Sequence, residues 1–257
     1  MDLDAVVRWC GEHHLNININ KCAVMSFTCK NQKTQFNYCI NGMSLPRTDV
    51  HKDLGVYFDT KLNFHQHIAN VTTSGVRVLG FIIRTCKYFN NVNTIITLYK
   101  SLVVTKLQYA SIIWDPQYAN RIDSLEAVQR RFLKFLHYKR FLVYPPRGTD
   151  QKLLCTLFNF PCLKQLRIKV GIVFLLKLIV NKIDNKEFLG LLPFRIGRAN
   201  TRSEDLFYIC TPRTNLYKNS PLIRLCYCIN KYCGTIDIFN VTFERFRQQI
   251  RMFLAVQ

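Results

Sequence analysis

Between Arg130 and Arg140 the chain reads RRFLKFLHYKR, its densest concentration of groups able to hold phosphate. Arg130, Arg131, Lys134, Lys139 and Arg140 bring five cations into eleven residues, and Tyr138 adds a ring that can stack on a base. A solvated helix face is the plain alternative. The rest of the charge favours a polyanion. The formal net charge is +20, and it is unevenly placed: residues 1–67 hold seven Lys+Arg against six Asp+Glu, while residues 68–257 hold 29 against ten. Uniform basicity would serve solubility, whereas this asymmetry points one end at a polyanion. Nucleic acid ranks first as that polyanion and a membrane surface second.

Other chemistries find less support. Two-metal phosphoryl transfer needs adjacent carboxylates, and the one contiguous acidic pair is Glu204-Asp205, in an irregular stretch. Asp2 and Asp4 stand at a helix start, where they complement the helix dipole. Cys226-x-Cys228-x4-Cys233 invites a zinc reading, with Cys210 as a remote fourth ligand. No His follows His137 to complete a paired-ligand pattern, so core thiols are the default. His65 and His67 lack a third ligand nearby and read as structural hydrogen-bonding groups, and no metal site is assigned. Cys–His nucleophile chemistry has no supporting local motif. Eleven cysteines, odd in number and irregularly spaced with no secretory signal ahead of them, read as free thiols of an intracellular protein, nuclear or cytoplasmic. The best membrane candidate, residues 170–180, is short and interrupted by Lys177, well below the roughly 20 apolar residues of a span.

The elements that must position these groups change character along the chain. A helix is expected over residues 2–10, with Leu3, Val6, Val7 and Cys10 on one face and Gly11 as its stop. Residues 23–28 form a strand candidate. Residues 36–45 read as a β-hairpin, because Asn41-Gly42 is a favoured type I′ turn, and residues 54–58 as another strand. From His67 onward the period is helical. Helices are expected from about 67 to 89, over 92–107, and through Ile122, Leu125, Val128, Phe132 and Phe135. The segment Tyr144-Pro145-Pro146-Arg147-Gly148 is the clearest break. Beyond it, helices are expected over 150–158, 163–181, 222–232 and 241–256, with residues 193–221 largely irregular.

Four segments, taken in order, resemble non-LTR (LINE-type, jockey-like) retrotransposon polymerases. They are LNININKCAVMSF (residues 15–27), LGVYFDTKLNFHQHI (54–68), WDPQYANRIDSLEAVQRRFLKFL (114–136) and LFYICTPRTNLYKNSPLIRL (206–225). The first resembles the palm motif Leu-x-x-Asn-x-x-Lys-Cys, met by Leu15, Asn18, Lys21 and Cys22. The resemblance implies that Lys21 sits on the pyrophosphate side of nucleotidyl transfer and that Leu54, Gly55 and Val56 lie at the primer grip. It also implies that the metal-binding Ala-Asp-Asp box would precede Met1. Mg²⁺ is then a requirement of a complete polymerase only, and no cofactor is expected here.

The resulting expectation is an α+β fold: a partial reverse-transcriptase palm (helix, hairpin, strand), then a mainly helical thumb and C-terminal region. The implied parts are residues 1–67 from the palm, 68–143 from the thumb and 144–257 as a helical extension. The expected function is binding of template–primer RNA or DNA by a polymerase fragment that is not an enzyme on its own. Self-association through an exposed palm edge is a further expectation. The alternatives are a helical protein-interaction module, a transposon relic without function, and an active enzyme whose gene model has lost its 5′ end.

Overall fold

The computed structural model describes residues 3–28, 36–89, 91–195, 205–233, 244–246 and 248. Internal contacts divide the chain into two units, Met1–Ala69 and Asn70–Gln257.

The first unit opens with helix α1 (Leu3–Glu12), which runs through Gly11 rather than stopping there. A single 3-10 turn at Ile19–Lys21 follows. Residues 23–28 do not form a strand. Val24 makes one parallel bridge, to Arg47. An apolar run alone does not supply a partner for its backbone. The hairpin is present, with β1 (Cys39–Ile40) antiparallel to β2 (Met43–Ser44). Its turn has φ 49° at Asn41 and 76° at Gly42, the left-handed pair a type I′ turn requires. A second hairpin joins β3 (Val50–Asp53) to β4 (Val56–Asp59), so the expected lone strand has a partner and begins two residues later. Leu54 (φ 44°) and Gly55 (φ 87°) make its tip. Asp59 then organises the exit. Its carboxylate accepts N–H bonds from Lys61 and Asn63 at 3.0 Å and from Phe64 at 2.7 Å. Those bonds hold Leu62 and Phe64 at positive φ and launch α2 (His65–Thr85).

The second unit is helical. After a 3-10 turn at Cys86–Tyr88 come α3 (Val92–Tyr99), a π turn (Lys100–Val104) and α4 (Thr105–Gln108), one continuous run where a single helix is expected. Ile95, Tyr99, Val103 and Leu107 are all fully buried. A strict four-residue repeat drifts by about 40° per step around a 3.6-residue helix. The wider π turn takes up that drift and keeps the four on one face. Short α5 (Ser111–Trp114) precedes α6 (Ala119–Phe141), whose Phe132 ring stacks on Tyr99 at 3.7 Å. Gly75 lets α2 lie close to α4, since a Cβ there would fall 2.8 Å from a Leu107 methyl.

The Pro145-Pro146 segment ends this run, and α7 (Gln151–Leu157) follows with Asp150 as its N-cap. Then come α8 (Leu163–Ile179), α9 (Lys186–Gly190), α10 (Asn215–Lys218) and α11 (Pro221–Cys233). α8 is the hub: it packs against α4, α5, α6 and α11. Ile172, Leu175, Leu176, Phe207, Cys226 and Ile229 centre a second apolar cluster. The helix expected over 241–256 lies outside the described residues apart from Glu244–Phe246 and Gln248, which are helical, with Phe246 buried. The whole is a mixed helical and sheet fold, in keeping with α+β. No helix among the described residues is long and apolar enough to cross a membrane.

Candidate nucleic-acid interface

α6 divides its side chains between core and solvent with unusual polarity on the core side. Leu125, Val128, Phe132, Leu133, Phe135 and Leu136 are buried, and so are Glu126 and Gln129. A buried carboxylate must be met by donors. Glu126 accepts from the backbone N–H of Lys164 at 2.7 Å and of Leu163 at 3.3 Å, and from the Gln151 amide at 2.8 Å. It therefore caps the N-terminus of α8 from another helix, adding negative charge where the helix dipole favours it. Gln129 donates to the carbonyl of Pro161 at 2.9 Å. Arg130 donates from Nε to Gln151 at 3.2 Å. The Leu-Glu-x-x-Gln-Arg run thus fastens α6 to α7 and α8.

This placement separates the five cations. Arg130 is half-buried and engaged. Lys139 donates to the carbonyl oxygens of Lys87 (2.6 Å) and Phe89 (3.0 Å), pinning the end of α6 to the Cys86–Tyr88 turn. Arg131 and Arg140 are exposed, and Lys134 is half-buried. Arg140 lies over the Phe141 ring at 5.4 Å. The outward cations are therefore Arg131, Lys134 and Arg140.

The Trp114-Asp115-Pro116 segment is a second knot of polar groups. The Asp115 carboxylate meets Arg167 Nε at 2.6 Å and Arg224 Nε at 3.8 Å, joining α8 and α11 to the end of α5. Arg224 also donates to the Ile112 carbonyl at 2.6 Å. Burial lowers the Arg224 pKa, and Asp115 works against that. Trp114 Nε1 donates to Tyr109 O at 2.8 Å. Further on, Thr214 caps α10 and Pro221 opens α11, where its missing N–H is harmless.

In the first unit, Asn18 and Lys21 are exposed at the 3-10 turn, with the Asn18 carbonyl accepting the Lys21 N–H at 3.0 Å. Leu54 and Gly55 are exposed at the β3–β4 tip, while Val56 is buried. His67 is buried at the start of α2, and the Tyr57 N–H donates to its Nδ1 at 3.3 Å. Burial lowers its pKa. His65 and His67 are thus not a ligand pair on one surface.

The nine described cysteines are free. Cys226 is in the core, its pKa pushed up to about 12 by burial. Cys228, two residues on, lies on another side of α11 with its pKa raised to about 11, again by burial. Residues two apart on a helix diverge. No group of three or more His, Cys, Asp or Glu side chains among the described residues is arranged to hold a metal ion.

A mixed fold with a cation-bearing helical unit narrows the class without identifying it. No family model matches the chain, and no solved structure matches it significantly. Two curated proteins do. The chain is similar to the RNA-directed DNA polymerase from mobile element jockey of Drosophila funebris, 26% identical over 135 residues. It is also similar to that of Drosophila melanogaster, 24% identical over 136 residues. Each match covers 51% of this chain and 14% of the relative. The likeness supports an origin related to a retrotransposon reverse transcriptase.

Proposed function

We propose that this chain is a segment of a non-LTR RNA-directed DNA polymerase that grips template–primer RNA or DNA and does not itself carry out nucleotidyl transfer. In this reading residues 1–67 derive from the palm, 68–143 form the thumb, and 144–257 extend it. The observation that carries the proposal is the outward set Arg131, Lys134 and Arg140 on α6, in a unit that holds nearly all the excess positive charge. A second observation supports a contact role for the β3–β4 tip. Leu54 is 84% exposed and has φ 44°, a placement costing a leucine about 1–2 kcal/mol that Asn or Gly would avoid. In this reading Lys21, on its exposed turn, also meets a phosphate.

The test is salt-dependent binding. Each neutralised phosphate contributes about 0.7 to 0.9 to the slope of log K against log salt. Replacing Arg131, Lys134 and Arg140 together by Gln is expected to flatten the slope for a primed RNA template by about 2–3 units. An unchanged slope in a folded variant removes these three cations from the interface and favours a protein-interaction module. In the same preparation, dNTPs and Mg²⁺ are expected to give no primer extension, because the sequence offers no suitable carboxylate pair. Extension abolished by one Asp or Glu substitution would overturn that part.

A further inference from the structure

The solvent side of α6 changes in kind along its length. At about 100° per residue, Arg131, Lys134, Tyr138 and Phe141 fall within roughly 80° of one another, opposite the buried arc. Spaced three and four apart, each lies about 5–6 Å from the next. The stripe runs from cations to rings. It does not stop with the helix. Leu142 takes a left-handed conformation (φ 60°), and a His137 ring nitrogen lies 2.7 Å from the Val143 carbonyl. The chain then turns back so that Tyr144 stacks on Tyr138, with ring centroids 4.6 Å apart and planes 13° from parallel. Both rings stay open to solvent, Tyr144 at 58%. The base of this structure is fixed, because Lys139 ties the helix end to the Lys87 and Phe89 carbonyls.

A protein partner would fit this surface poorly. Protein interfaces are depleted in lysine and in charge at their centres, whereas here two cations, one of them Lys134, lead the stripe. No Asp or Glu occurs between Ala127 and Thr149, so nothing within the stripe opposes an anion. A duplex would satisfy the cations and leave the rings idle, since its base faces are already stacked. A single strand uses both, with phosphates on the cations and free base faces on the rings.

We propose that the outer face of α6 and the returning segment to Tyr144 form a platform for single-stranded nucleic acid, with Arg131 and Lys134 meeting phosphates and Tyr144, backed by Tyr138, stacking a base. This rests on the nucleic-acid reading above and adds the strandedness of the ligand. The experiment is fluorescence anisotropy of the full chain with a labelled mixed-sequence RNA 20-mer, the matching DNA 20-mer, and the blunt duplex of each. Both single strands are expected to bind at least about tenfold more tightly than either duplex. The variant Tyr138→Ala/Tyr144→Ala should lose roughly tenfold or more in single-strand affinity, keep its duplex affinity, and keep its salt slope, since no phosphate contact is removed. Tyr138→Phe/Tyr144→Phe retains the stack and should bind as the parent. Tyr144→Ala alone, in an exposed segment, should show the same loss if the double variant folds poorly. Equal affinity for single strands and duplexes, or undiminished single-strand binding by Tyr144→Ala, overturns the platform while leaving the gripping function intact. Absence of binding to all four ligands at low salt overturns both.

Discussion

Glu126 and Asp115 place two carboxylates inside the helical unit, and each ties together segments far apart in sequence. Glu126→Ala would strand two N–H groups at the head of α8 and an amide on α7. A loss of about 3 kcal/mol is expected, read as a lower urea midpoint with unchanged m-value. His67 gives a pH dependence of the same sign as a paired carboxylate, set at higher pH. Its folded pKa lies below the ordinary value of about 6.5. The unfolded chain therefore binds a proton that the folded chain refuses, once pH falls below that value. Stability of the first unit should be unaffected above about pH 7 and decline as pH drops from about 6.5 toward the folded pKa. In His67→Gln that decline should shrink in thermal melts between pH 7.5 and 5.5. Of the candidate site, the cluster of cations was legible from residue types alone. That Arg130 and Lys139 turn inward was not, because their partners Gln151, Lys87 and Phe89 lie 21 to 52 residues away. One signal was present: Glu126 and Gln129 are polar residues within the apolar stripe of α6, and such residues require partners.

Among the elements, those with strong periodicity matched their expected ranges closely: α2, the α3–α4 run, α6, α7, α8 and α11. The first unit was less legible. Strand β3 reads Val-His-Lys-Asp and is exposed at every position, so it carries no alternation to detect. Its pairing follows from the left-handed turn at Leu54-Gly55 rather than from its own pattern. Conversely, residues 23–28 have strand-like composition but, among the described residues, make only the Val24–Arg47 bridge. Among the described residues both sheets have two strands, a size of marginal independent stability. Among the described residues of this unit, Ile40, Val56 and Ile68 are the buried apolar side chains, while Trp9, Phe27, Phe36 and Met43 are at least half exposed. Open strand edges beside exposed apolar groups invite pairing with another chain. Size-exclusion chromatography at moderate salt is expected to show concentration-dependent oligomers. A sharp monomer peak over a tenfold dilution series would contradict this.

At the scale of the molecule, charge and core are distributed together. The Asn70–Gln257 unit holds most of the buried apolar side chains and a net charge of +19, while the Met1–Ala69 unit holds a thin core and a net of +1. A strongly cationic body repels itself, which disfavours its own compaction and raises its encounter rate with polyanions. Low salt should therefore speed association with RNA and slightly weaken the folded state, with both effects fading as ions screen the charges. The Pro145-Pro146-Arg147-Gly148 segment has a separate consequence. Its Pro146, Arg147 and Gly148 are exposed, yet the elements on its two sides are joined through the interior. Glu126 and Gln129 reach forward to α7, α8 and Pro161, and Asp115 reaches forward to Arg167 and Arg224. A protease that nicks the chain after Arg147 would thus yield two peptides that travel as one particle, parting only in denaturant, and either half made separately would need the other to fold.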